Sequence, residues 1–272
     1  MGEAGPVSTH GPTAPPIPDE LERILRRMRL PYLRKAAPDV LATARAQRWD
    51  PAEVLKVLLA EEVTGRDAAT RRMRRKQANF PTGKTFSSWR PEESSIPDPT
   101  QQALTTLEWI GRADNLAVAG PSGTGKSHFV EALAQVAIEQ GQRVVWFTLE
   151  SLTTTIGRAK VDGTTARTVA RICGCDLIVV DDIGMLPAGQ DAAEAFYRVV
   201  DAAYERRSVA VTSNIHPSKA HRFPATCARR RRRFTGSPRL AAVPAKDGLG
   251  GWRPGRWLAR PDPHRTVRAA RG

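Results

Sequence analysis

The stretch that most constrains this 272-residue chain is Gly120-Pro121-Ser122-Gly123-Thr124-Gly125-Lys126-Ser127, a complete G-x-x-x-x-G-K-[ST]. It lies between Asn115–Ala119, which reads as a strand, and Lys126–Gln140, which reads as a helix closed by Gly141. That context distinguishes a phosphate-binding loop from an ordinary Gly-rich turn. The glycines let backbone N–H groups curl inward around phosphate oxygens, and the helix N-terminus adds favourable partial charge. In such a loop Lys126 bridges the β- and γ-phosphates of ATP, and the Ser127 hydroxyl ligates Mg²⁺.

Around the loop, short apolar runs alternate with helical patterns. Strands are expected at Arg143–Leu149, Leu177–Asp181 and Ser208–Thr212, with helices at Arg167–Cys173 and Asp191–Arg206. This alternation implies an α/β fold, with a mostly parallel sheet and crossover helices. Leu177-Ile178-Val179-Val180-Asp181-Asp182 is an apolar strand ending in two carboxylates. Alone, that is a solvated strand end; about fifty residues after a phosphate-binding loop it suits the metal side of the site. Asp181 would hold Mg²⁺ and Asp182 would polarise the attacking water, although Asp182 is one methylene shorter than a Glu in that role. Asn214, just past Ser208–Ser213, is either a turn-forming amide or a third polar group aimed at the γ-phosphate or the water.

GPSGTGKSHFVEAL, LIVVDDIGMLP and VAVTSN, in this order and spacing, resemble the AAA+ ATPases of the IstB and DnaC-like group. The upstream LRLPYLRKAAPDVL and the helix ending RRMRRKQANFPTGKTFSSW resemble the IstB helpers in particular, so the likeness spans about residues 21–218. It implies a P-loop AAA+ core and a helper of insertion-sequence transposition. Such a helper binds double-stranded DNA, assembles as an ATP-dependent homo-oligomer and acts with a transposase. A DnaC-like helicase loader, or a remnant that binds nucleotide without efficient turnover, are the competing readings.

Residues 1–18 are rich in Gly, Pro, Ser and Thr and are expected to be disordered. A small all-α domain is expected over 19–79. Leu21, Ile24, Leu25 and Met28 recur at helical spacing, and Tyr32–Arg48 forms one or two short helices around Pro38. Asp50-Pro51-Ala52-Glu53 opens a long helix expected to bury Val54, Leu55, Leu58, Leu59 and Val63. Residues 80–100, with Pro81, Pro91, Pro97 and Pro99, read as a linker anchored by Phe80, Phe86 and Trp89; a helix follows over Gln101–Arg112. Arg71, Arg72, Arg74, Arg75 and Lys76 are either a solvated helix end or, as the resemblance favours, a DNA-phosphate contact. His128 and the pair Cys173 and Cys175 are expected to pack.

The net charge of +14 points to nucleic acid less directly than its size suggests. Residues 219–272 carry fifteen of the 42 Lys+Arg and two of the 28 Asp+Glu, so the rest of the chain is nearly neutral. This Arg/Pro/Gly-rich tail is expected to be irregular. It departs from the resemblance, which implies another strand, a helical lid and an arginine finger, and is either a genuine basic arm or an altered reading frame. Without lid and finger, ATP binding is expected to be stronger than turnover, and a sheet edge would be exposed. No apolar run approaches the roughly 20 residues of a membrane span. Three cysteines build neither a disulfide framework nor a four-ligand zinc site, and the acidic, Pro-rich start is not expected to act as a signal peptide. A cytoplasmic setting with no membrane partner is therefore expected.

Overall fold

A computed structural model describes residues 15–183 and 189–214, and the backbone of 241–244. The chain begins with three helices, α1 (Asp19–Arg27), α2 (Pro31–Gln47) and α3 (Pro51–Ala78). Their small core joins Ile17, Leu25, Leu33 and Ala37 with Leu21, Leu30, Leu41 and Leu58. Ile17 is buried there against α1 and α2, where the sequence leads one to expect disorder; residues 1–14 lie outside the described residues. Pro38 sits inside a single continuous α2. Asp50 caps α3 by accepting from the Ala52 N–H at 2.8 Å, with Pro51 in the first helical position.

The seam between α2 and α3 uses fewer apolar groups than the sequence pattern implies. Leu58, Glu62 and Gly65 face α2, whereas Leu55, Leu59 and Val63 are exposed, which corrects their expected burial. A 28-residue helix with one neighbour along this stretch has one seam, not a wide buried face. A Cβ on Gly65 would fall 2.1 Å from Cγ of Tyr32, so the glycine is needed for close approach. Gly65→Ala should destabilise the chain by about 1–3 kcal/mol in denaturant unfolding, despite the better helix propensity of Ala. Adding Tyr32→Ala should remove most of that loss; an additive double mutant would refute the clash.

The second unit is a parallel sheet of β1 (Leu116–Ala119), β2 (Val144–Thr148), β3 (Leu177–Asp181), β4 (Ser208–Ser213) and β5 (Ala241–Pro244), in the order β2-β3-β4-β1-β5. β5 corrects the wholly irregular tail: four of its residues pair with β1 and cover the edge expected to be exposed. The rest of 219–272 lies outside the described residues.

On the way to the sheet run α4 (Asp98–Thr105) and α5 (Glu108–Gly111), split at Leu107 in the left-handed region, where one helix was expected. Alternate strand residues serve opposite faces. Leu177 and Val179 pack with Phe129, Leu133 and Ile138 of α6 (Lys126–Glu139). Ile178 and Val180 pack against α7 (Leu149–Val161), α8 (Thr165–Ile172) and α9 (Gln190–Ala203) through Leu152, Ile156, Ile172 and Val199. The sequence pattern missed α7, although Thr148 and Ser151 form a reciprocal capping box at its start. Among the described residues no helix is long and apolar enough to cross a membrane.

Candidate nucleotide site

The strand order brings three sequence motifs to one sheet edge. β4 lies between β1 and β3, so the chain after β4 emerges between the loop that follows β1 and the carboxylates that end β3. Register fixes the depth: Val118 pairs with Thr212, Ala119 with Ser213, and Val180 with Val211. The Gly120 N–H donates to the Ser213 carbonyl at 3.1 Å, so the loop leaves the sheet from a tethered start.

Gly123 and Gly125 both have φ +80°, a region that Cβ-bearing residues avoid, and Gly125 is the N-cap of α6. The Thr124 hydroxyl closes the loop on the Pro121 carbonyl at 2.9 Å. Lys126 is buried and donates from Nζ to the same carbonyl at 2.6 Å. Burial pushes its pKa down, against the pull of Asp182 and Asp181. A buried ammonium without a carboxylate ion pair among the described residues fits an anionic ligand that would complete its neutralisation.

Ser127 Oγ donates to Asp181 Oδ1 at 2.8 Å, which joins the first helical turn of α6 to the end of β3. Thr212 was not singled out by the sequence, yet its buried hydroxyl binds Asp181 Oδ1 and accepts from the Asp182 N–H at 2.9 Å. It thus fixes the Asp181 carboxylate and the Asp182 backbone. Asp182 adopts φ +58°, which turns its side chain out of the strand's alternation. Asn214 Nδ2 donates to Asp182 Oδ1 at 3.4 Å, so those two predicted residues meet. Burial and the neighbouring Asp181 raise the Asp182 pKa, while Lys126 and the Asn214 hydrogen bond oppose the rise. Thr212→Val keeps shape and removes both hydrogen bonds. It should lower ATP hydrolysis roughly 10- to 100-fold with ATP affinity nearly unchanged, as separate turnover and binding titrations would show.

The basic cluster is placed differently from its sequence expectation. Arg71 and Arg75 pair with Glu139, and Arg74 donates to the Gly141 carbonyl, all at the C-terminal end of α6. These three side chains are therefore engaged within the chain, where the helix dipole and Glu139 supply negative charge. Arg72 and Lys76 are exposed and make no ion pair among the described residues. Cys173 and Cys175 are half-buried free thiols whose pKa burial raises, and no metal-ligating cluster occurs among the described residues.

Comparison with known proteins agrees with this geometry. Residues 23–222 match the family described as IstB-like ATP binding protein. An ATP-binding protein of insertion sequence IS21 from Pseudomonas aeruginosa is 30% identical over 196 residues, covering 72% of this chain and 74% of that protein. An IS21-like ATP-binding protein from Bacteroides fragilis is 28% identical, with the same coverage. Among solved structures, AMPPCP-bound DnaA from Aquifex aeolicus is similar with a TM-score of 0.50 and 21% identity, covering 61% of this chain and 51% of that one. That likeness is one of fold alone. With its phosphate loop, paired carboxylates and most of its length accounted for, the chain belongs to the IstB-like ATP-binding proteins.

Proposed function

We propose that this protein is an ATP-dependent DNA-binding helper of insertion-sequence transposition. Residues Gly120–Ser127 hold the triphosphate, with Lys126 on the β- and γ-phosphates. Ser127 and Asp181 form the hard-oxygen pair that suits Mg²⁺. When bound there, the ion would supply charge neutralisation at the transferring phosphoryl group, while Asp182 and Asn214 orient the attacking water. The observation that carries the nucleotide part of this reading is the Ser127–Asp181–Thr212 chain of hydrogen bonds beside a buried Lys126; the insertion-sequence relatives support the helper part.

The same reading makes a transposase the protein partner and double-stranded DNA the polyanion, on which ATP favours a homo-oligomer. Arg72 and Lys76 are the exposed members of the predicted DNA cluster that make no ion pair among the described residues, and the basic tail adds sequence-independent attraction. The test is binding of labelled duplex DNA across a salt series, with and without ATP and Mg²⁺, followed by co-purification with the transposase of the same insertion sequence. ATP should tighten DNA binding and retain the transposase. Replacing Arg72 and Lys76 together by Ala should reduce the salt slope by about 2. DNA binding that ignores ATP, or no capture of the transposase, would overturn the helper role.

A further inference from the structure

The segment expected to be a linker grips the first turns of α6, and its contacts converge on the phosphate loop. Phe86 meets Phe129 edge-on with ring centres 5.7 Å apart, and Phe80 meets Trp146 at 6.1 Å. Buried Glu131 accepts from the Thr82 hydroxyl and the Gly83 N–H, both at 2.6 Å. His128 Nε2 lies 3.2 Å from Ser88 Oγ and 3.1 Å from the Thr85 carbonyl. Trp89 completes the grip, 5.1 Å from His128 and 5.2 Å from Phe129 between ring centres.

Trp89 also touches the loop itself. A Cβ on Gly125 would fall 3.0 Å from Cζ3 and 3.4 Å from Cη2 of the indole, so the ring edge rests against the backbone where the loop becomes helix. The indole is seated from behind: its N–H donates to Gln101 Oε1 at 2.8 Å. Gln101 is buried and held by the Ile96 and Pro91 carbonyls at 2.7 and 3.2 Å. One amide side chain thus fixes the ring, and the ring limits where Gly125 can go.

We infer that Trp89 is a positioning residue of the nucleotide site, which holds the loop in its phosphate-receiving curve before nucleotide arrives, with Gln101 as its support. This rests on the nucleotide reading of Gly120–Ser127 given above. A loop containing three glycines samples many shapes when free, and nucleotide affinity falls by the fraction of time the receptive shape is lost. Half-burial of Trp89 matters here, because the ring can be altered without emptying the core.

The test uses the full-length chain and two readouts, ATP·Mg²⁺ affinity by calorimetry and amide hydrogen exchange of the nucleotide-free protein. Trp89→Ala should raise the ATP Kd roughly tenfold, as a fall of the receptive fraction to about one tenth requires. It should also speed exchange over residues 122–127 while leaving β3 and β4 unchanged. Trp89→Phe should restore most of both, and Gln101→Ala should shift both in the same direction by a smaller factor. If Trp89→Ala binds ATP as the parent does, or exchange rises uniformly in both Trp89→Ala and Gln101→Ala, Trp89 is a packing residue only and the proposal fails. Should the parent chain itself fail to bind ATP, the nucleotide reading falls. The exchange comparison would still show whether Trp89 orders the loop.

Discussion

Lys126→Ala should lower ATP turnover roughly 10²- to 10³-fold and weaken ATP binding, with the fold at least as stable as in the parent. The two halves of this expectation have one cause. Lys126 is buried at the start of α6, its ammonium donating to a carbonyl at 2.6 Å and its pKa depressed by desolvation. Without nucleotide, such a charge is a cost to folding, so its removal does not open the core. On the proposed reading, the same charge meets phosphate oxygens in a site where water screens little, so its loss falls on the state that carries the most negative charge. Thermal unfolding with and without ATP·Mg²⁺ separates the effects. The parent should gain melting temperature on ATP addition and the variant should not. A variant that melts well below the parent without ATP would contradict this account of Lys126.

Glu62→Ala should destabilise the helical domain by about 3 kcal/mol. Leu30, the residue before α2, offers no side-chain cap, and Pro31 has no N–H to satisfy. The next two amides, Tyr32 and Leu33, donate to Oε2 of Glu62 on α3, both at 2.9 Å, while Arg66 donates to Oε1 at 2.7 Å. A carboxylate from one helix therefore caps another and brings negative charge to its N-terminus. Burial alone would raise the Glu62 pKa, but the Leu33 N–H, Arg66 and the Tyr32 N–H together hold it below the ordinary carboxylate value. A depressed folded-state pKa means that the stabilisation is complete above the unfolded value and is lost as pH falls through the folded one. Denaturation of parent and Glu62→Gln should thus differ most near neutrality and converge in acid. Equal stability at neutral pH would show that the cap is idle.

Much of the candidate nucleotide site is legible in the sequence because its signals are local. A complete phosphate-loop motif must follow a strand and open a helix, and here Leu116–Ala119 precedes it and Lys126 begins α6. The strand Leu177–Asp181 was equally readable, since five apolar-to-acidic residues buried on both faces leave little other choice. Thr212 was not legible: a Thr in a β-branched strand looks like propensity, and its role appears only when β4 pairs beside β3. Helix α7 is not legible because its polar Thr and Ser residues mask a narrow apolar stripe of Leu152, Ile156 and Ala159.

The amino-acid order alone thus specifies most of the elements and the chemistry they carry: a phosphate loop, two terminal carboxylates, an amide, a run of arginines. Their arrangement comes from long-range contacts. Which strands pair depends on burying both sheet faces at once, and this inserts β4 between β1 and β3 although it follows them in the chain. The arginines show the same limit. Their sign and spacing announce a basic helix end, but Glu139 and the Gly141 carbonyl, more than sixty residues away, claim three of them. Charge is a local property of a sequence, whereas the partner that neutralises it is a property of the fold.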